Sequence, residues 1–547
     1  MPMRNFHAVL AAIFLGLMLA ACSTSTESEA ADLRVNPLDP DNGESPVTEP
    51  SIRIANALQE AKQSYDDGHY VVAMRWAETA ERLIIEYEYP VEDLAMAINI
   101  QAYVLLQINR IEDYFVKDHG KLEGALTKFD KVLTLLERDF RARLGKSLAS
   151  FRLHTDMVLK ADSLGQGTIS LHSVREDVRK AAIAPTEAEC SELLREAARK
   201  FRTFTANRDK MLALHYIFQD VSRSKMFNED REKNAPWLGK LSEGEESLKL
   251  LDVGASLDSA LRANQMDKDI AIGIDKDLVA VTGSWDQVRN YWRIEALSKL
   301  QTARDGFLSL TKERPDYFWA QRDLVFVYQS FGAFFLDTAM EQAKLQAIKA
   351  GTKWENVEGE ARRIFTSDAF KSWEKEESKR NYRDALAYTK SFVRRHQEFE
   401  KLRITRKDET DFNDENSNPF LVDLVARYRA TMEELIIEER NMRASMLLEA
   451  AVLCIEPLFQ NRDTQLAVRF AEDLKSLRPN DPVHHLIKAT AYYNDSRWED
   501  AKFSYEAFLK DSSITEDLGR RNLARQRISQ CEMWLRRTAG AGESTDR

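Results

Sequence analysis

Few residues of this chain stand in a setting that points to chemistry, and Cys22 is the clearest of them. Its thiol follows an apolar run, residues 8–21, which begins shortly after the basic residue Arg4. A secretory signal requires a basic start, a short apolar core and small residues before the cut, and all three are present. The run is too short to cross a bilayer, which needs about 20 helical residues. We therefore expect residues 1–21 to be a cleaved signal peptide.

The residues around this cysteine, Leu19, Ala20, Ala21 and Cys22, resemble the lipobox of bacterial lipoproteins. The resemblance implies cleavage before Cys22, a diacylglyceryl thioether on its sulfur and acylation of the new amino terminus. In that family a residue other than aspartate after the cysteine, here Ser23, goes with transfer to the outer membrane. The resemblance thus predicts a chain in the cell envelope, held by lipid at the outer membrane and facing the periplasm. The alternative is a short buried helix that ends in cysteine.

The sequence contains no motif of a known catalytic or cofactor site. It has no nucleophile elbow, phosphate-binding glycine loop, HExxH zinc motif or dinucleotide fingerprint. The remaining cysteines, Cys190, Cys454 and Cys531, lack metal-ligand spacing, so we expect buried thiols, with a disulfide at Cys454 or Cys531 left open. We predict a protein that is not an enzyme and that holds no cofactor and no metal.

The overall charge argues against nucleic acid as a partner. The formal net charge is -11, whereas phosphate binding needs clustered lysine and arginine. One basic cluster near the C-terminus comprises Arg520, Arg521, Arg525, Arg527, Arg536 and Arg537. We interpret these arginines as cations that meet a helix dipole and solvent.

A repeated spacing of small residues predicts helical hairpins at both ends of the chain. Ala61 and Ala73 are 12 residues apart, as are Ala489 and Ala501, and Ala467 precedes Ala501 by 34 residues. With the aromatic residues between them, these units resemble the tetratricopeptide repeat (TPR), whose period is also about 34 residues. A small residue is needed where two helices cross, because a larger side chain would force the helices apart.

The predicted fold class is therefore all-α, a helical-hairpin solenoid of TPR-like repeats with an irregular insertion in the middle. Residues 270–281 of that insertion alternate weakly in polarity, which fits either a small β-hairpin or a helix broken by glycine. No apolar run after the signal peptide approaches the length of a membrane span. The predicted segments are a signal peptide (1–21), the lipidated cysteine with a flexible tether (22–50), N-terminal TPR-like helices (51–160), the irregular insertion (161–290), TPR-like and long charged helices (291–405), a polar loop (406–420), C-terminal repeats with a capping helix (421–537) and a flexible tail (538–547).

Solenoids of the TPR family bind protein segments in a groove lined by the first helix of each pair. The family's groove positions fall here on Lys62, Tyr65, Asp66, Thr490, Tyr493 and Asn494. Tyr65 and Tyr493 take the same place in their repeats, where each either contacts a partner or shields the turn between the helices.

These features together predict a lipid-anchored envelope scaffold that binds other proteins or peptide segments, within an envelope assembly or secretion machine. Two other functions remain open. A glycan- or nutrient-binding outer-membrane lipoprotein would be richer in glycine and aromatic residues than this chain, which has 20 glycines and 9% aromatic residues. A cell-wall lytic enzyme would carry a lysozyme-like domain with a catalytic glutamate and a Gly-Leu-Met-Gln stretch, which the sequence lacks.

Overall fold

A computed structural model describes residues 49–111, 119–206, 253–259, 262, 268–315, 317–409, 419–455, 462–512 and 517–542. Regular structure in these ranges is helical, with no strand. The helices are α1 (Pro50–Asp66), α2 (Tyr70–Glu86), α3 (Val91–Ile111), α4 (His119–Leu135), α5 (Phe140–Ala182), α6 (Glu187–Thr205), α7 (Lys268–Glu313), α8 (Phe318–Lys349), α9 (Val357–Thr366), α10 (Trp373–Glu409), α11 (Pro419–Ile455), α12 (Thr464–Leu477), α13 (Val483–Asn494), α14 (Trp498–Asp511) and α15 (Leu518–Gly542). The predicted all-α fold class of helical hairpins is confirmed.

Several predicted features lie outside the described residues. They are the signal peptide, the lipidation site Cys22, the tether up to residue 48, much of the insertion (207–252, 260–261 and 263–267), the central part of the polar loop (410–418) and the last five residues of the tail (543–547). The described ends of the predicted loop (406–409 and 419–420) and the start of the predicted tail (538–542) are helical instead, because they continue α10, α11 and α15.

The described helices belong to two compact units. One unit lies within Leu58–Tyr388, and the other includes the described parts of Met1–Ala57, Thr389–Glu456 and Arg462–Arg547, so the unit boundaries fall inside α1 and α10. In the first unit, α5 and α7 pack along each other, and α3, α4, α6 and α8 join the same hydrophobic core. In the second unit, α11 packs on α12, and the helices from α12 to α15 each pack on the next.

The two terminal hairpins close with the same backbone turn. After α1, the amide of Gly68 donates to the carbonyl of Tyr65 over 3.1 Å, and Gly68 has a φ of 81°. After α13, the amide of Ser496 donates to the carbonyl of Tyr493 over 3.1 Å, and Ser496 has a φ of 60°. A left-handed residue at this place lets the chain satisfy the last carbonyls of the first helix while it reverses. Glycine adopts this conformation easily, whereas a residue with a Cβ is strained in it.

Small residues lie where the helices approach each other most closely. The four hairpin alanines, Ala61, Ala73, Ala489 and Ala501, are fully buried. At Gly145 in α5 the approach is closer still, because an added Cβ would lie 2.1 Å from the Cζ atom of the buried Phe129 ring. No side chain fits at that distance without displacing the ring, so the residue type at position 145 fixes how α4 and α5 pack.

The predicted irregular insertion is wrong over the part that the structure describes. Residues 270–281, which the sequence left as a β-hairpin or a broken helix, lie inside the continuous helix α7. Its buried residues recur every three or four positions, which is the spacing of one helix face: Ala271, Ile274, Leu278, Val281, Trp285, Val288 and Trp292.

Glycine has two different roles in this region, neither of which breaks a helix. Gly273 and Gly283 of α7 stand at positions where an added Cβ would meet nothing within 4 Å. Gly167 of α5 instead admits the ring of Trp285, since a Cβ there would lie 2.4 Å from Cζ3 of that ring. The glycines that interrupt the sequence pattern therefore mark exposed positions and close contacts inside long helices.

One helix among the described residues is long and apolar enough to cross a membrane, contrary to our expectation from the sequence. Residues Val91–Ile108 of α3 have a mean hydropathy of 1.2, and 44% of them are buried in the described structure. The helix packs against α2 and α4. Its polar side chains also have partners, because Asn99 donates to Asp139 over 3.2 Å and Gln101 donates to Glu81 over 2.8 Å. In the described structure α3 is therefore a core helix of its unit.

The strained turn at position 496 predicts opposite effects for two exchanges. Ser496→Gly should stabilise the α13–α14 hairpin by about 0.5 kcal/mol, because relief of the left-handed strain exceeds the added entropy of the unfolded chain. Gly68→Ser should destabilise the α1–α2 hairpin by about 1 kcal/mol for the reverse reason. Native-state hydrogen exchange of the hairpin amides measures both changes. Equal protection in both variants and the wild type would show that the turn does not limit hairpin stability.

Candidate protein-binding face

The N-terminal predicted site residues lie on one face of α1, and Tyr65 is tied to another helix. Lys62 and Asp66 are exposed, while Tyr65 is partly buried. The Tyr65 hydroxyl accepts a hydrogen bond from Gln107 of α3 over 3.1 Å, and its ring meets the edge of Tyr70 at 5.7 Å between centroids. Burial raises the pKa of the Tyr65 hydroxyl. The side chain therefore joins α1, the start of α2 and α3.

The C-terminal predicted residues are also engaged in contacts within their own unit. Thr490 donates from its hydroxyl to the carbonyl of Leu486 over 2.9 Å, one turn earlier in α13. Asn494 donates from Nδ2 to the carbonyl of Ile455 over 2.6 Å, which satisfies an acceptor at the end of α11. These two side chains thus stabilise helices, with Thr490 and Asn494 both partly buried.

Tyr493 repeats the arrangement of Tyr65. Its hydroxyl donates to Oε1 of Gln530 in α15 over 2.8 Å, as Tyr65 accepts from Gln107 in α3. In both cases a tyrosine near the end of the first hairpin helix reaches a glutamine on the helix that follows the hairpin. The structure therefore gives both tyrosines a packing role between helices, while each ring keeps part of its surface accessible.

The sequence did not reveal a chain of stacked groups that begins at Tyr493. The guanidinium of Arg527 lies 4.2 Å from the Tyr493 ring centre, and that ring meets the edge of Trp498 at 5.3 Å. Trp498 stacks on Trp534 at 5.8 Å with 14° between the planes, and Arg537 lies 5.0 Å from the Trp534 ring. We call these five residues the arginine-aromatic ladder. Its one sequence signal is the spacing of Arg527, Trp534 and Arg537 along one face of α15.

Ionisable side chains with shifted pKa values occur in both units. Burial raises the pKa of Asp337 to about 6 and that of Glu449 to about 7. Burial also lowers the pKa of His154 to about 4, and its Nδ1 lies 2.8 Å from the carbonyl of Ala296. Shifted pKa values are useful to acid-base catalysts, but a catalyst also needs access to a substrate. Glu449 is 7% exposed and His154 is 3% exposed, so their surroundings are those of core residues.

A cavity of about 460 Å³ lies at the start of α10. It is lined by Asp368, Phe370, Lys371, Ser372, Trp373, Lys375, Glu376 and Lys379. The Lys375 ammonium is occupied there, because it donates to the carbonyls of Phe365, Ser367 and Phe370 over 2.7, 3.2 and 3.2 Å. These bonds satisfy carbonyl groups at the end of α9 and in the turn after it, so Lys375 caps that helix end.

The described residues contain no group of three or more His, Cys, Asp or Glu side chains that is suited to a metal ion. Cys190, Cys454 and Cys531 are buried, and none of the three forms a disulfide among the described residues. Burial raises the pKa of the Cys454 thiol to about 12 and raises that of Cys531, which keeps both protonated and unreactive.

Comparisons with known proteins identify no family for the chain. No protein-family model and no curated protein matches its sequence. Among solved structures, the P58(IPK) TPR domain aligns with 89% of this chain and 99% of its own at 13% identity and a TM-score of 0.15. Yeast Tom70 aligns with 89% of this chain and 97% of its own at 12% identity and a TM-score of 0.17. Naa15/Naa10 bound to HypK aligns with 87% of this chain and 100% of its own at 12% identity and a TM-score of 0.18. Similarity at this level carries no argument about partners.

The hydrogen bond of Tyr493 predicts a difference between two adjacent tyrosines. Tyr493→Phe keeps the ring but removes the hydroxyl bond to Oε1 of Gln530, which among the described residues then accepts only from Arg527, and this should weaken the docking of α15 by about 1 kcal/mol. Tyr492→Phe is the matched control, because the structure shows its ring beneath Arg497 at 4.3 Å and no bond from its hydroxyl within the described residues. Pulse proteolysis reports the change as faster cleavage in α15. Equal cleavage rates in the two variants would refute the packing role of the Tyr493 hydroxyl.

Proposed function

We propose that this chain is a lipid-anchored scaffold of a bacterial cell envelope that binds segments of other proteins. The observation that carries the proposal is the repeated contact between a hairpin's first helix and the helix after it, through Tyr65 with Gln107 and Tyr493 with Gln530. Helices aligned in this way present neighbouring side chains on one face, which is how helical repeats build extended protein-binding surfaces. Lys62 and Asp66 are exposed beside Tyr65 and are available to a partner.

The proposed location in the cell rests on the sequence around Cys22. Lipid on this cysteine would hold the chain at the outer membrane, facing the periplasm, and a tether of about 28 residues with a reach of roughly 30 Å would separate the helical body from the headgroups. The partners are then envelope proteins, within an assembly or secretion machine. The chain contributes position and binding surface in this proposal, and no catalytic step is assigned to it.

Crosslinked capture tests the scaffold function. Cells that express the tagged wild-type chain are crosslinked, and its partners are compared with those of a chain that lacks residues 1–22. We expect defined envelope proteins to be enriched with the wild type and to be recovered less when the exposed residues Lys62 and Asp66 are both changed to alanine, without a change in export or melting temperature. If the wild-type chain recovers no protein above the truncated control, the scaffold proposal fails.

A separate exchange tests the anchor. Cys22→Ala removes the sulfur that would carry the diacylglyceryl group, so we expect an unprocessed precursor that takes up no labelled fatty acid. Cys454→Ala serves as the control, since this buried thiol belongs to the helical core and its loss leaves the acylation site intact. Normal labelling of the Cys22→Ala chain would contradict lipid attachment, even if partner capture remained.

A further inference from the structure

The arginine-aromatic ladder combines half-exposed rings with cations at both ends. Trp534 is 37% exposed, and Tyr493 and Trp498 are partly buried. The two tryptophan rings are fixed by their own stacking and by the edge of Tyr493. They form a short apolar strip whose shape is set before any ligand arrives. Tryptophan, tyrosine and arginine in such a setting are the residues that dominate binding energy at protein interfaces.

Three of the five ladder residues lie on one face of α15, and Tyr493 and Trp498 contact them from α13 and α14. Leu523, Arg527, Gln530, Trp534 and Arg537 recur at intervals of three or four residues, so their side chains lie along the same side of the helix. Leu523 is 38% exposed and extends the apolar strip by one turn. This face therefore offers a row of apolar and cationic groups that is continuous over four turns.

Two other arginines of α15 point to the opposite side. At 100° per residue, Arg525 and Arg536 lie about half a turn away from Arg527. Both are exposed. A third, Arg521, is buried and donates to the carbonyls of Leu509 and Ser512 over 2.6 and 2.7 Å, so it caps the C-terminal end of α14. The six arginines of the basic cluster thus separate into a buried helix cap, an outer pair, the two ladder arginines and Arg520, which pairs with Asp517 over 3.4 Å.

The charge of the ladder is opposite to that of the chain as a whole. The chain carries a net charge of -11, yet residues 518–537 contain six arginines and one carboxylate, Glu532. Glu532 pairs with Lys502 over 2.8 Å. Among the described residues, the polar partner of the Arg527 guanidinium is the neutral Gln530 amide oxygen at 3.0 Å. The ladder therefore attracts an anionic ligand within a chain that is otherwise acidic.

We propose that the ladder binds an acidic, extended protein segment, with an aromatic residue over the Trp498–Trp534 strip and carboxylates at Arg527 and Arg537. This inference rests on the proposed scaffold function and names the partner's chemistry. Ten helical residues separate the two arginines by about 15 Å, which an extended strand spans in about four or five residues. A lipid surface fits less well, because the rings lie flat against each other instead of protruding and the acidic body repels anionic headgroups.

A short labelled peptide tests this binding with the purified full chain. The probe has blocked ends, two glutamates about five residues apart and a central tryptophan, and its control peptide has glutamines instead. Fluorescence anisotropy should show saturable binding of the glutamate peptide only, with a salt-dependent affinity. Arg527→Gln combined with Arg537→Gln should weaken it by about tenfold or more.

The matched control is Arg525→Gln combined with Arg536→Gln, which removes the same charge from the opposite face of the same helix. Its affinity should stay within about twofold of the wild type. Equal weakening in both double variants would overturn the proposal, because binding would then follow net charge alone. Binding of the glutamine peptide as tightly as the glutamate peptide would also overturn it. Circular dichroism of each variant confirms that the helices are retained.

Vesicles that contain phosphatidylglycerol distinguish a lipid surface from a protein segment. Vesicle binding that requires Arg527 and Arg537, together with no peptide binding, would overturn the protein assignment. The ladder can also fail while the scaffold function stands: capture of the same envelope proteins by the Arg527→Gln, Arg537→Gln chain would show that they bind elsewhere. Failure of the scaffold function appears instead as no capture by the wild type.

Discussion

The close approach of helices at residues with little or no side chain is the constraint on which the rest of this structure depends. Hairpin alanines are fully buried at both ends of the chain, and Gly145 admits the ring of Phe129 to the backbone of α5. Gly306 of α7 likewise faces Ser147 of α5, where an added Cβ would lie 2.1 Å from Oγ. Helices that pack this closely must keep fixed registers, because one added methyl group has no space at these points.

Fixed registers explain why side chains from different helices meet in the same way at different places. Tyr65 reaches Gln107, and Tyr493 reaches Gln530, across equivalent hairpins with equivalent turns. The same register brings Trp534 against Trp498 and so assembles the arginine-aromatic ladder. Among the described residues, the proposed partner surfaces thus arise from the packing of helices. The proposed lipid on Cys22 would only determine where in the cell the helical units are held.

The sequence predicted the terminal hairpins well, because a 12-residue alanine spacing follows directly from how two short helices cross. It misled in the middle, where Gly273 and Gly283 interrupt the pattern of α7 without interrupting the helix. Gly167 could not be interpreted locally either, because its role depends on a ring more than 100 residues away. The sequence also did not predict the left-handed conformation of Ser496 or the ladder. Backbone strain at one residue and contacts among three helices produce no fixed spacing in the sequence.

A comparison of two glycine exchanges tests the packing constraint most directly. Gly145→Ala places a methyl group against the Phe129 ring and should destabilise the α4–α5 pair by about 1–3 kcal/mol. Gly273→Ala adds the same group where nothing lies within 4 Å and should stabilise α7 by up to about 1 kcal/mol. Urea denaturation followed by helical ellipticity should therefore give midpoints shifted in opposite directions. Shifts of the same sign and size would contradict the account, because helix propensity would then outweigh the close approach.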